Sequence, residues 1–263
     1  MSPVFCNIYI SKVVLMIKYN MKESSQTLHI GIIMDGNGRW ATEQGKQRLE
    51  GHSAGVLAVQ ALLRECTSVG VGTVTLFAFA ISNWKREKQE VDGLWILFHS
   101  FIVESSQEFI ENGTRVVFIG DREGLPEHVR EVAIKLEIDS SHNKKLLFQI
   151  ALDYDGLDEV VRMTKKVIQS EVSAEDVTPE YLLSHLDTQA ENQPDIIVRT
   201  GMPQAEEGMA VWRSSGFLPL QSTESVCVSL EVLWPDFTIE HLQKIITYAK
   251  PENRLFGGQR KEK

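Results

Sequence analysis

The chain has 263 residues, 43% hydrophobic and 24% charged, the balance of a globular protein large enough for one big domain or two small ones. Asp plus Glu number 36 against 27 for Lys plus Arg, a formal net charge of -9. That argues against a nucleic-acid binder, whose domain would carry a basic excess, but it leaves room for a local basic pocket around an anionic ligand.

Cys6, Cys66 and Cys227 stand far apart and make neither a disulfide framework nor a metal knuckle. Near the start, Val4 to Ile17 is apolar-rich but broken by Asn7, Ser11 and Lys12. It is shorter than the ~20 residues of a membrane span. It has neither the basic lead nor the small-residue cleavage site of a signal peptide. The reading is an extension over residues 1–25, with Met21 as an alternative start, ahead of a domain at 26–263. A cytoplasmic protein without a stable membrane span is expected, and such a protein would not use the Asn112-Gly113-Thr114 glycosylation pattern.

Leu28 to Met34 is a short apolar run that ends at Asp35-Gly36-Asn37-Gly38, which predicts a buried strand and a turn. Helical spacing over Ser53 to Ser68 stops at Gly70, and Thr73 to Ala80 reads as a strand. Glu90 to Asn112 is a long amphipathic helix with Gly113 past its end. Then come a strand at Arg115 to Ile119, a helix at Pro126 to Glu137, a strand at Leu146 to Leu152 and a helix at Asp155 to Ser170. A short helix at Thr178 to Leu186, strands at Asp195 to Arg199 and Val226 to Leu230, and a helix at Ile239 to Ala249 complete the chain. The alternation predicts an α/β fold, a single domain with a central, mostly parallel sheet flanked by helices. Ligands of such sheets bind outside the carboxyl ends of the strands.

The residues after those strands are unusual. Gly36-Asn37-Gly38 lets backbone amides converge on an anion, and Arg39 adds a permanent charge. Asp35 beside an anion site makes sense if Mg²⁺ bridges carboxylate and phosphate. Lys46, Arg48 and His52 follow closely. Arg39, Arg86 and Arg199 each come after a strand, so one parallel sheet brings them to one edge, a pattern that suits diphosphates.

HIGIIMDGNGRWA followed by GKQRLEGH resembles the first signature of the cis-prenyltransferases, the undecaprenyl-diphosphate-synthase-like family. TLFAFAISNWKREKQEV is similar to the family's segment around Asn-Trp, and PDIIVRTG, LWPDF and NRLFGG resemble its C-terminal signatures. The resemblance runs from His29 to Gly258 and implies the fold of that family, a homodimer and Mg²⁺ as cofactor. It implies that Asp35 binds Mg²⁺ and helps the allylic diphosphate leave, while Gly36, Asn37, Gly38 and Arg39 hold that diphosphate. Trp40 would pack by the allylic end, and Arg48 and His52 would add contacts to the diphosphate. Asn83 and Trp84 would stand near the reacting carbons, where the family's Asn is assigned to proton removal. Arg86, Arg199, Arg213 and Ser215 match the second diphosphate site.

Three departures lie on that second side. The family's Ser-x-Glu before Asn-Trp reads Ala80-Ile81-Ser82. The two arginines of the later motif, six apart in the family, are 213 − 199 = 14 apart here, with Met202 to Met209 between them. Val226 stands where the family carries a glutamate that helps bind Mg²⁺. The pattern resembles the lavandulyl-type branch, which joins two dimethylallyl diphosphates head to middle, in some members with ring closure. Regular cis elongation with isopentenyl diphosphate is the alternative, and a non-catalytic subunit a third reading that the intact first motif disfavours. Trp95, Phe98 and Phe101 on the long helix are bulky enough to floor a short pocket.

Overall fold

The computed structural model describes residues 27–188, 193–203 and 212–249. The expected N-terminal extension, residues 204–209 of the insertion and the NRLFGG motif lie outside the described residues.

Six strands form one sheet: β1 (Leu28–Ile33), β2 (Val71–Phe77), β3 (Thr114–Ile119), β4 (Leu146–Ala151), β5 (Ile196–Arg199) and β6 (Val226–Ser229). Their order is β3-β4-β2-β1-β5-β6, and every pairing is parallel. Among the described residues, seven α-helices accompany them: α1 (Asn37–Glu43), α2 (Arg48–Glu65), α3 (Lys88–Glu111), α4 (Glu127–Ser140), α5 (Gly156–Gln169), α6 (Pro179–Ser184) and α7 (Ile239–Tyr248). The expected α/β fold is thus present as a single domain, with short β-branched strands buried between helices.

Strand alternation sorts the side chains. Ile30 and Ile32 of β1, Val74 and Leu76 of β2, and Phe148 and Ile150 of β4 join the larger core, which α2, α3, α4 and α7 cover. Ile33, Phe77, Ala151 and Ile197 point to the opposite face, under Tyr154, Phe217 and Leu218. On that second face His29, Thr75 and Gln149 form a buried polar chain across β1, β2 and β4. The His29 Nε2 to Thr75 Oγ1 distance is 2.7 Å, and Thr75 donates to Gln149 Oε1 at 2.7 Å. Since the single hydroxyl proton goes to Gln149, His29 Nε2 is the donor. The role is structural.

Several boundaries differ from the sequence reading by a few residues, and two of them bear on the site. The Gly-Asn-Gly stretch is not an isolated turn, because Asn37 already begins α1. Helix α2 starts at Arg48, five residues before the expected start at Ser53, and Gln47 N–H donates to Glu50 at 2.8 Å in a capping contact.

The β3 edge of the sheet is sealed. Val116 N–H donates to Ser140 Oγ at 3.0 Å, Phe118 N–H to Glu137 Oε1 at 2.8 Å, and Gly120 N–H to Asp187 Oδ2 at 3.2 Å. Asn143 and Arg122 donate to the carbonyls of Thr114 and Phe118. Side chains therefore occupy the groups that a further strand would need. Ser140→Ala is expected to strand the buried Val116 N–H and to lower stability by about 1–3 kcal/mol, read as a shifted urea midpoint.

Candidate active site

β1 sits between β2 and β5, which lie on opposite sides of it, so its carboxyl end opens on the crevice where α/β sheets bind ligands. Asp35 emerges there. Its carboxylate accepts from Arg199 at 2.9 Å and from Arg39 at 3.4 Å. Its backbone carbonyl accepts from Thr200 Oγ1 at 2.8 Å and from Trp234 N–H at 3.1 Å. Arg199 also donates to the Arg213 carbonyl at 2.6 Å and to Ser215 Oγ at 2.8 Å, while Arg39 donates to the Gly201 carbonyl at 2.5 Å. Carboxyl ends of β1 and β5 and the Trp212–Phe217 turn are thus tied to one carboxylate.

Two glycines make this approach possible. Gly36 has φ +109°, and a Cβ there would lie 2.8 Å from Leu233. Gly201 has φ +66°, and a Cβ there would fall 2.4 Å from the Arg39 guanidinium and 2.8 Å from the Asp35 carbonyl. Only glycine combines that backbone with that closeness. The first-turn amides of α1 beyond Gly36 have no helical acceptor, which is the donor-rich end expected to meet an anion.

A second cluster lies alongside. Glu90 of α3 accepts from Arg48 at 3.1 Å and from Arg86 at 3.0 Å, and His52 Nε2 is 3.5 Å away. The two clusters meet at Gly38, where a Cβ would fall 2.6 Å from the Arg48 guanidinium. Burial pushes the Glu90 carboxyl up, but hydrogen bonds and charges of Arg48, with Arg86 and His52, hold it below the ordinary carboxylate range. Burial, then the charge of Arg86, brings His52 down to about 4 against the pull of Glu90. His52 is therefore neutral at physiological pH.

Beneath these polar groups lies an apolar cavity of about 60 Å³. Asn37 and His52 stand at its polar lip, and Leu94, Phe98, Phe101 and Phe148 are among its walls. Asn37 Oδ1 is buried there without a hydrogen-bond partner. Phe98 and Phe101 line the cavity as expected, whereas Trp95 stands behind them, its ring 4.5 Å from Phe79 and 5.5 Å from Phe98. The volume is less than half the ~150 Å³ of an engineered apolar cavity that takes benzene.

Sequence-predicted residues fall into place unevenly. Asp35, Arg39, Arg199, Ser215 and the Arg213 backbone converge, and Arg48, His52 and Arg86 converge on Glu90. The assignment of Arg199 to one diphosphate and Asp35 to the other is not mirrored by their contacts, since the two are paired. Trp40 turns away from the cavity: its indole donates to Asp236 at 2.8 Å and Lys46 caps its ring at 4.8 Å. Asn83 and Trp84 lie on the Ile81–Lys85 turn, where Asn83 Oδ1 accepts Ala80 N–H at 3.1 Å. Glu90, Thr200 and Asp236 were missed. Glu90 had a signal, four residues after Arg86 at the spacing of helical ion pairs.

Among the described residues no group of three or more His, Cys, Asp and Glu could hold a metal. Asp35 fits a different mode. One half-exposed carboxylate at an anion site suits Mg²⁺, which takes few carboxylates and completes its shell with phosphate and water.

The family described as putative undecaprenyl diphosphate synthase matches residues 33–257. The chain belongs to the cis-prenyltransferase family. An "Isoprenyl transferase" of Clostridium perfringens is 36% identical over 240 residues, 90% of this chain and 92% of that one. One from Agrobacterium fabrum is 37% identical over 238 residues, 89% and 93% of the two chains. Among solved structures, lavandulyl diphosphate synthase from Lavandula x intermedia, in complex with dimethylallyl diphosphate, aligns with a TM-score of 0.80 at 25% identity, covering 89% of this chain and 99% of that one. A probable undecaprenyl diphosphate synthase from Campylobacter jejuni aligns at 0.72 and 28% identity, covering 89% and 100%. The cis-prenyltransferase described here is a transferase of prenyl groups. None of its described helices is long and apolar enough to cross a membrane.

The depressed pKa of His52 gives a pH test. Unfolded, this histidine titrates near 6.5, and folded at about 4, so between those values the unfolded state binds the extra proton. Stability from this source is complete above pH 6.5 and falls as the pH drops toward 4. His52→Asn is expected to flatten that part of the slope, measured as urea midpoints between pH 4 and 7.

Proposed function

We propose that this cis-prenyltransferase joins two short allylic diphosphates of the dimethylallyl class, head to middle. The observation that carries the reading is where carboxylates stand. Asp35 is present at the first diphosphate motif, but Ser82 and Val226 occupy positions where the family resemblance calls for carboxylates. An acceptor that is itself allylic must be bound without being ionised, and a second side poor in metal-recruiting groups favours that. The likeness to a structure holding dimethylallyl diphosphate supports the same substrate size.

The chemistry follows from charge placement. The allylic C–O bond of the donor breaks and its electron pair leaves with the diphosphate. Arg39, Arg199 and the first amides of α1 are already in place to take that charge, so little reorganisation is needed. Asp35, with the diphosphate oxygens, would hold Mg²⁺, which when bound neutralises the leaving group. The acceptor double bond supplies the electrons of the new C–C bond, and the resulting cation loses a proton, the step the resemblance assigns to the Asn83 region. Phe98, Phe101 and Phe148 wall the cavity, and aromatic walls of this kind exclude water and stabilise a nearby cation.

Regular cis elongation with isopentenyl diphosphate is the second reading, favoured by 36–37% identity to isoprenyl transferases. Incubation with dimethylallyl diphosphate and Mg²⁺ alone, with product identification, separates the two. A branched C10 diphosphate is expected, and no product without isopentenyl diphosphate would overturn the first reading. Asp35→Ala is expected to reduce turnover by about 10²-fold or more, and Val226→Glu to shift the product mixture toward elongation.

A homodimer belongs to the same proposal. Leu157 (73% exposed), Val161 and Ile168 (71% exposed) form an uncovered apolar stripe on α5 at i, i+4 and i+11. Sedimentation equilibrium of the full chain is expected to give twice the monomer mass. Leu157→Lys with Ile168→Lys is expected to give the monomer, and a wild-type monomer at micromolar concentration counts against the dimer.

A further inference from the structure

Asn83, Trp84 and Arg86 all ride on one short exposed segment, Ala80 to Arg86. What seats it is therefore a question about reactivity. Its start is pinned by the neighbouring strand end, with Ile81 N–H donating to the Tyr154 carbonyl at 3.1 Å and Tyr154 N–H to the Phe79 carbonyl at 3.1 Å. Its end is held by Arg86 on Glu90. Between them one side-chain hydrogen bond crosses from another part of the sheet: Trp84 Nε1 donates to Asp153 Oδ1 at 2.7 Å. Trp84 is 42% exposed, its ring edge-on to Phe79 and tilted against Trp95, each at 5.3 Å. Without the Asp153 bond, that ring is free to turn about the apolar contacts.

Asp153 is built for the task. It is 6% exposed and lies just past β4 with φ +47°, a left-handed conformation that Asp tolerates better than most residues. Its backbone carbonyl accepts Asp121 N–H at 3.1 Å. Gly124 backs its other oxygen so closely that a Cβ there would come within 2.0 Å of Oδ2. The carboxylate is thus fixed from behind and presents Oδ1 to the indole. Burial raises its pKa, as do nearby Asp121 and Asp158, while the Trp84 hydrogen bond and Arg162 oppose the rise. A carboxylate kept in so dry a seat needs a compensating donor, and Trp84 supplies one.

We propose that Asp153 is a positioning residue for the Ala80–Arg86 segment, acting through the Trp84 indole N–H to set where Asn83 and Arg86 meet the second substrate. The loop has no carboxylate of its own, since Ser82 stands there. An anchor just past β4 supplies the carboxylate that the loop itself lacks. The inference rests on the prenyl-transfer reading for its kinetic effect, but not for its structural one.

The test uses Asp153→Gly, Asp153→Asn and Trp84→Phe in the full chain. Glycine removes the acceptor and suits the left-handed backbone, so loss of the bond is separated from failure to fold. Asparagine keeps an acceptor oxygen. Asp153→Gly and Trp84→Phe are each expected to raise KM for the acceptor diphosphate about tenfold, the effect of one lost hydrogen bond to a charged group, with a smaller change in kcat. Asp153→Asn is expected to stay within about twofold of wild type, since the acceptor is retained. The Asp153→Gly, Trp84→Phe double variant is expected to be no worse than either single change, because both break the same bond. A readout free of activity is the fluorescence of Trp84, taken as wild type minus Trp84→Phe: a red shift is expected in Asp153→Gly and none in Asp153→Asn. Additive effects in the double variant, or Trp84 emission unchanged in Asp153→Gly, overturn the proposal. Absence of any prenyl transfer by wild type would overturn the functional reading while the fluorescence still decides this one.

Discussion

One carboxylate organises the carboxyl end of the sheet. Asp35 takes Arg199 and Arg39 on its side chain and Thr200 and Trp234 on its backbone carbonyl, so β1, β5 and the Trp234 turn are fixed by a single residue. Such a carboxylate keeps two guanidinium groups close together, although their like charges repel. A diphosphate arriving there meets arginines already gathered, and the carboxylate that gathered them is the group suited to a bridging cation. Stability of the empty site and affinity of the filled one draw on the same charges.

Glu90 repeats the device on α3. It gathers Arg48, His52 and Arg86 from separate elements and keeps them beside Gly38. Because burial and Arg86 keep His52 neutral, the cluster carries two permanent positive charges against one negative. The excess is modest and local. It shows why a chain with net charge -9 can still present a cationic mouth over an apolar cavity.

Much of the fold was legible because its central strands are largely buried and read as short, mostly apolar runs. LHIGII and LLFQIA need no long-range information to be recognised as strands. Parallel pairing followed from the alternation with helices, and with it the meeting of Arg39 and Arg199 at Asp35, whereas Arg86 joins Glu90 instead. What escaped was set by tertiary contact. Asn37 to Glu43 is rich in polar residues and flanked by glycine, so it resembles a turn, yet packing on α2 makes it helical. The turn of Trp40 toward Asp236 joins residues 196 positions apart, and no local pattern encodes it. The partners of Asp153 are equally remote, since Trp84 lies 69 positions away. Asp35 and the glycines after it were legible because their chemistry is concentrated in a few consecutive residues.

The sealed β3 edge has a consequence for assembly. A sheet that can recruit strands on both sides is able to propagate without limit. Here Ser140 and Glu137 already hold outward amides of β3, and Asp187 holds that of Gly120 just past it. A second molecule meeting this margin finds few free backbone donors, so it can attach there only through side chains. The side chains that protect this margin thus keep the sheet from being lengthened past β3 by copies of itself.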